Sequence, residues 1–327
     1  MKHISILVPR GHTSVTNIEG SHQVFCEVNG ILASMGRDPL FKVELVGLGH
    51  DTSQRNGLFT IDPHKLINDV KKTDLIVIPA MLGNDIAASI EMNKEFIPWI
   101  MDQRANGAEL ASFCVGSFFL ASTGLLKGKQ CATHWRFTNE FREMFPDVNL
   151  VDDKIITEAD GIYTSGGAYS YVNLLAYLVE RYAGREIAIV VAKAFMIDID
   201  RDSQSPFIMF KGQKNHEDEP VKKAQEFIEN NFQERITVDQ LASNLALGRR
   251  SLERRFKKAT CNTVTEYIQR VKVEAAKKSF ETSRKNIQEV MYDVGYSDIK
   301  AFRTVFKKTT GLSPLEYRNK YNKQAVA

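Results

Sequence analysis

Over the first 200 residues, short apolar runs rich in β-branched residues alternate with longer stretches of helical period. The runs are "ISILVP" (4–9), "KVELVGLG" (42–49), "LIVIPA" (75–80), "ELASFC" (109–114) and "GIYTS" (161–165). This β-α alternation predicts a flavodoxin-like α/β domain over 1–200, a mostly parallel sheet with helices on both faces. From Asp200 the chain turns irregular and polar, "DRDSQSPFIMFKGQKNHEDEP", which predicts a linker over 201–220. Beyond it no strand-like run appears. Helical periodicity continues to the end, so 221–327 is predicted to be all-α.

The helical segment repeats itself at an offset of fifty positions. Phe256-Lys257-Lys258 recurs as Phe306-Lys307-Lys308, Glu266-Tyr267 recurs as Glu316-Tyr317, and Thr263 is matched by Ser313. Thr237-x-x-Gln240 and Ser313-Pro314-x-Glu316 read as capping boxes at helix starts. Each copy holds a short helix, a tight turn and a second helix. The first is "VDQLASNL", Ala246-Leu247-Gly248, "RRSLERRFKKA"; the second is "IQEVMYDV", Gly295-Tyr296-Ser297, "DIKAFRTVFKKT". These are helix-turn-helix proportions. On the first reading helix Arg250, Glu253, Arg254 and Lys257 share one face while Leu252 and Phe256 face the other way. On the second, Lys300, Arg303, Thr304 and Lys307 repeat that geometry against Phe302 and Phe306. A basic face of this kind enters a major groove, where arginine binds guanine O6 and N7 together.

Charge separates the two halves. Residues 1–210 carry 25 acidic against 19 basic side chains, a net of −6, and residues 211–327 carry 24 basic against 15 acidic, a net of +9. A lone basic face is often only a solvated helix surface. Two at equivalent positions of a repeat, on a basic domain, point to double-stranded DNA. No run is long and apolar enough to span a membrane and no signal peptide is read at the start. The four cysteines, Cys26, Cys114, Cys131 and Cys261, form no C-x-x-C pair, so neither zinc site nor disulfide framework is expected and a reducing cytoplasm fits. No phosphate-cradling glycine loop or metal-ligand cluster is evident, and no cofactor or metal is expected.

From about Val238 to Tyr317, with "LERRFKK", "TVTEYIQRVKVEAAKKSF" and "FKKTTGLSPLEYR", the chain resembles the tandem helix-turn-helix domain of the AraC/XylS family. Carried over by position, the resemblance implies base contacts from Arg250, Glu253 and Arg254 in the first copy and from Lys300, Arg303 and Thr304 in the second. Gly248 departs from the family, which usually has a serine cap there.

One further stretch carries chemistry. "ELASFCVGSFF" has the form of a strand turning sharply into a helix with Cys114 at the corner, the geometry of a nucleophile elbow, where a thiolate gains from the helix N-terminus and from backbone N–H groups. Gly116 and Ser117 keep that turn uncrowded. Equally, a free cysteine at such a corner can simply pack.

Residues 1–200 resemble the PfpI-type, glutamine-amidotransferase-like fold. "ASFCVGSFFLASTGLLKGKQCATHW" and "DRDSQSPF" match the branch fused to an AraC-type tail, the GlxA-like regulators. Enzymes of that superfamily lean a carboxylate over the cysteine, and aligning Gly20 and Val24-Phe25 puts Asn17 at that position. Asparagine cannot take a proton as a general base does. Val115 follows the cysteine where some catalytic members carry histidine, and Glu19 fills the carboxylate role only if the register shifts. The resemblance thus implies a pocket of Asn17, Gly83, Cys114, Val115 and His134 that binds a small-molecule effector rather than turning over substrate, with Cys114 a vestigial nucleophile. It also implies a homodimer, a regulator working in the cytoplasm at the bacterial nucleoid, and RNA polymerase as a further partner. The competing class is a cysteine-dependent hydrolase or hydratase using Cys114.

Overall fold

Each of the five apolar runs forms a strand of one seven-stranded sheet in the computed structural model, which describes residues 1–50, 53–54, 57–81 and 85–322. In chain order the strands are β1 (Lys2–Val8), β2 (Phe41–Gly47), β3 (Lys65–Leu66), β4 (Leu75–Ile78), β5 (Glu109–Phe113), β6 (Ile156–Ala159) and β7 (Ile162–Ser165). Their spatial order is β6-β7-β5-β4-β1-β2-β3, and only the β6–β7 pair is antiparallel. The helices of this unit are α1 (Val15–Ser34), α2 (Ile86–Met92), α3 (Phe96–Ala105), α4 (Gly116–Ser122), α5 (Thr138–Met144), α6 (Tyr171–Ala183) and α7 (Arg185–Ala194).

Side chains leave each strand alternately to two sides, and both sides are covered. Ile4, Ile6 and Val8 of β1 with Leu75 and Val77 of β4 pack on α1, α6 and α7. Leu7, Ile76, Ile78 and Leu110 pack on α3, α4 and α5. Burial on both faces is why these strands read as continuous apolar runs. Strand order reverses between β1 and β4, so their carboxyl ends open the crevice where sheets of this kind bind ligands.

The chain divides into two compact units, Met1–Gln204 and Ser205–Ala327. The second is helical throughout: α8 (Glu219–Asn230), α9 (Val238–Asn244), α10 (Arg249–Thr260), α11 (Val264–Thr282), α12 (Ile287–Asp293), α13 (Ile299–Thr310) and α14 (Pro314–Tyr321). It holds two apolar cores, and α11 contributes to both: Val264, Tyr267 and Ile268 to the first, Val273, Ala276 and Phe280 to the second.

The sequence repeat is a repeat of contacts. Tyr267 stands edge-on to Phe256 at 5.2 Å and Tyr317 to Phe306 at 5.5 Å. Their hydroxyls donate to Glu229 (2.7 Å) and Glu281 (2.5 Å). Thr263 and Ser313 close full capping boxes with Glu266 and Glu316. The box expected at Thr237 forms only by half: its hydroxyl accepts from the Gln240 N–H at 3.2 Å, with no return bond from the Gln240 side chain. A neutral amide gains less from that bond than a carboxylate does.

The stretch read as a linker is largely occupied by contacts with the helical unit. The Lys277 ammonium donates to the Ile208 carbonyl (2.5 Å), the Phe210 N–H donates to Glu274 (3.1 Å), and the Phe210 ring lies 5.1 Å from that of Tyr267. Ile208 meets α11 through its carbonyl and Phe210 through its amide and ring, contacts that composition alone hides.

The copies differ at two left-handed backbone positions. Gly295 and Gly311 hold φ of +73° and +74°, whereas Ala246 and Cys261, their counterparts in the first copy, hold +50° and +56°. A Cβ in that region costs about 1–2 kcal/mol, part of which glycine loses again through the freedom of the unfolded chain. Ala246→Gly and Cys261→Gly are therefore each expected to stabilise the helical unit by about 0.5–1 kcal/mol, seen as a higher denaturant midpoint at unchanged slope. Gly311→Ala should move the midpoint the other way, and a lower midpoint in Cys261→Gly would refute the assignment of strain.

Candidate DNA-reading helices and a closed cysteine elbow

In each copy the apolar side of the second helix is anchored first: Leu252 and Phe256 of α10, and Phe302 and Phe306 of α13, are fully buried. That leaves Arg250, Arg254 and Lys257 exposed on α10, and Lys300, Arg303, Thr304 and Lys307 exposed on α13. Arg250, Arg254, Lys300 and Arg303 make no ion pair among the described residues, so their donors face solvent. Glu253 and Lys257 are differently placed. Glu253 is half-buried and accepts from Arg249 at 3.2 Å, while Arg249 also pairs with Asp239 at 2.9 Å. Lys257 donates to the Cys261 carbonyl at 2.8 Å, closing the end of its own helix. Helix starts differ as well. Asp298 caps α13 by accepting from the Ala301 N–H (2.7 Å), whereas Gly248 offers α10 no side-chain cap.

The elbow has its expected shape. Cys114 leaves β5 with φ of +53°, a left-handed conformation at the corner into α4. Its N–H donates to the Ser165 carbonyl (3.0 Å), and its carbonyl accepts from Ser117 Oγ (2.9 Å) and Thr133 Oγ1 (3.2 Å). Gly116 allows the turn to sit against β4, because a Cβ there would lie 2.6 Å from the Pro79 carbonyl oxygen.

The chemistry of the elbow is another matter. The Cys114 side chain is buried, and burial pushes its thiol up to about 12 against the weaker pull of the Val115 N–H. Loss of water outweighs the short helix terminus that a thiolate would use. Asn17, buried on α1, is also engaged: its Oδ1 accepts from the Ala80 N–H at 3.1 Å, next to the Pro79 that underlies Gly116. Val115 is buried as the residue preceding α4. His134 caps a single helical turn, its Nδ1 accepting from the Arg136 N–H (3.1 Å), with its ring against Trp135 and Phe137. Burial, then the Arg136 charge, lowers its pKa, and no hydrogen bond joins it to Cys114. Glu19 is exposed and lines a cleft with His22, Leu45 and Asp62; burial first, and then the Glu19 charge, raises the Tyr171 pKa. Gly83 lies outside the described residues.

Two residues at these sites carry no motif of their own. Gln204, in the "DRDSQSPF" stretch, is buried and donates to the Thr133 and Lys154 carbonyls (3.0 and 3.1 Å) while accepting from the Gly167 and Trp135 N–H groups (3.2 and 3.3 Å). It stitches together the loops behind the elbow. Lys272, on α11, is buried among backbone carbonyls. Both act on backbone groups that no spacing rule reveals.

Burial raises the Cys114 pKa and shields the sulfur from solvent, so little thiolate is present near neutral pH. A thiol reagent applied to the native chain should therefore modify exposed Cys26 and Cys261 and reach Cys114 and Cys131 only after unfolding. Peptide mapping that found Cys114 labelled first would contradict this.

Residues 27–181 match the model of the DJ-1/PfpI family, and residues 241–320 match that of a helix-turn-helix domain. Among curated proteins the chain is similar to the transcriptional regulators ArgR and GbdR of Pseudomonas aeruginosa. With ArgR it shares 27% identity over 65% of this chain and 65% of that one; with GbdR, 25% over 79% and 69%. The alignments thus span about two thirds of those relatives' own lengths. A crystal structure of a Vibrio parahaemolyticus protein described as a transcriptional regulator has the same fold over 60% of this chain and 98% of that one, with a TM-score of 0.52 at 20% identity. Over residues 27–181 the chain is thus similar to the DJ-1/PfpI family and over residues 241–320 to a helix-turn-helix domain, and it is similar to proteins named as transcriptional regulators.

Proposed function

We propose that the protein regulates transcription by reading two successive major grooves through α10 and α13, while the first unit senses a small molecule and pairs with a second copy without catalysing a reaction. The observation that carries the reading is the pair of exposed basic faces at equivalent places of a structural repeat, each backed by a buried aromatic anchor. Arg250, Arg254, Lys300, Arg303 and Thr304 are the proposed base readers. Lys257 and Lys307 lie one turn further along and suit phosphates. Glu253 acts by orienting Arg249.

For the first unit, the sensor reading is supported by what the crevice offers. The Thr13 and Ser165 hydroxyls are buried at the carboxyl ends of β1 and β7 and make no hydrogen bond among the described residues. These two buried hydroxyls are polar groups that a ligand entering this end of the sheet could satisfy, and a Cys114 thiol whose pKa burial raises is poorly suited to attack it. The proposed setting is the cytoplasm, at the nucleoid, with RNA polymerase the partner that transmits regulation.

On a panel of singly substituted operator duplexes, Arg254→Ala or Arg303→Ala should lose about 1–3 kcal/mol at particular base pairs and little elsewhere. Affinity should fall steeply with salt, and footprints should cover two sites about 10 base pairs apart. A uniform loss across the panel would mean that these arginines touch only phosphate. The wild-type chain should show no turnover of amide, ester or glyoxal-type substrates. Catalysis in wild type that Cys114→Ser abolishes would instead establish the hydrolase reading, and activity gained only in Asn17→Asp would identify the missing carboxylate as the cause of silence.

A further inference from the structure

We propose that Lys272 sets the spacing of the two DNA sub-sites by clamping the second helix-turn-helix to the first, an inference that rests on the DNA-binding reading above. Lys272 sits midway along α11, between the residues that close the first core and those that close the second. It is 7% exposed, and its ammonium donates to three backbone carbonyls: Glu234 (3.2 Å), Val294 (3.1 Å) and Gly295 (3.2 Å). Glu234 belongs to the segment between α8 and α9; Val294 and Gly295 form the turn between α12 and α13. One cation therefore holds a loop of each copy.

Three acceptors match the three N–H donors of an ammonium, which is what makes a buried lysine tolerable. The contact is close from the other side too. Gly295 has φ of +73°, and a Cβ on it would lie 2.0 Å from the Gln233 carbonyl oxygen and 2.7 Å from Lys272 Nζ. Only glycine lets the second turn come so near. Beside the clamp lies a cleft of about 270 Å³ lined by Arg235, Thr237, Ile268, Lys272 and Tyr296. Phe232, from the same segment between α8 and α9, packs against the second core, and the ammonium of Lys272 lies 5.4 Å from the Tyr296 ring, so the polar clamp adds to an apolar contact between the copies.

The repeat supplies a comparison. Fifty positions on from Lys272 stands Asn322, whose Nδ2 donates to the Phe280 and Ser283 carbonyls at 2.7 and 2.8 Å. Those two carbonyls lie at the end of α11, within the second copy, whereas the carbonyls held by Lys272 belong to loops of both copies. Ile299 opens α13 four residues after Gly295, so a shift of the clamped turn re-aims Lys300 and Arg303 against Arg250 and Arg254.

The test uses the full chain and a duplex that it selects in vitro from a random pool of about 30 base pairs, long enough for two sub-sites one helical turn apart. The readout is the ratio of affinities for that duplex and for versions with one base pair inserted or deleted between the sub-sites. Wild type should lose about tenfold or more on shifting the spacing. Lys272→Met should bring the ratio to within about twofold of one, and Lys272→Arg, which keeps a multiple donor, should restore the penalty. Loss of folded protein cancels in the ratio, so a merely structural lysine would leave it unchanged. If Lys272→Met does not fold, Gly295→Ala opens the same seam from the facing turn and is read in the same way. A wild-type spacing penalty in whichever of these variants folds overturns the proposal. Failure of the wild-type chain to select any duplex overturns the DNA-binding reading instead.

Discussion

The helical unit depends on one helix that two cores share. Nineteen residues of α11 make a rod about 28 Å long, with its first turns closing one core and its last turns closing the other. Each copy alone holds some fifty residues, a size at which one small core is marginal. Sharing the helix gives both copies a common wall. It also joins the two copies through a hydrogen-bonded backbone instead of a flexible connection, while the angle at which the second copy sits on that rod is left to the contacts beside it, Lys272 among them. Successive major-groove faces of B-form DNA recur about every 34 Å, so a rod of this length matters to what the unit can read.

The crevice of the first unit shows that the shape of a site and its reactivity are set by different interactions. Backbone contacts hold the strained corner at Cys114: its amide on Ser165, its carbonyl on Ser117 and Thr133, and Pro79 pressed beneath Gly116. None of these requires a thiolate. Reactivity needs water or a charge near sulfur, and here burial raises the thiol's pKa while the Asn17 side chain is engaged by the Ala80 N–H. A left-handed cysteine can thus persist for the turn it makes.

Periodicity and charge make much of this legible in the sequence. Five apolar runs become five strands because burial on both faces leaves no polar alternation to confuse them. The reading helices are legible because Leu252, Phe256, Phe302 and Phe306 recur at helical spacing opposite the basic side chains. What stays hidden depends on long-range contacts to the backbone. Gln204 looks like any linker residue, yet it bonds to four main-chain groups from three loops. Lys272 looks like one more charge on a basic helix, and only the fold brings three carbonyls to it. The Thr237 box fails for a local reason, since the pattern S/T-x-x-E/Q treats a carboxylate and an amide alike.

The two copies share a fold but are held by different forces. In the second, local sequence agrees with the structure: glycine occupies both left-handed positions, and Asp298 and Asn286 cap the helices of the motif. In the first, Ala246 and Cys261 hold left-handed backbone and Gly248 leaves α10 uncapped. Ion pairs from α10 compensate. Arg249 reaches Asp239 and Glu253, and Arg255 grips Asp218 with two bonds of 2.8 Å, holding that carboxyl below its usual range. These pairs are partly exposed, so salt screens them, whereas left-handed glycine turns and the neutral Asn286 cap carry no net charge to screen. Ionic strength therefore bears more on the contacts that hold α10 than on those that hold α13, where Lys307 lies near the Glu316 carboxylate.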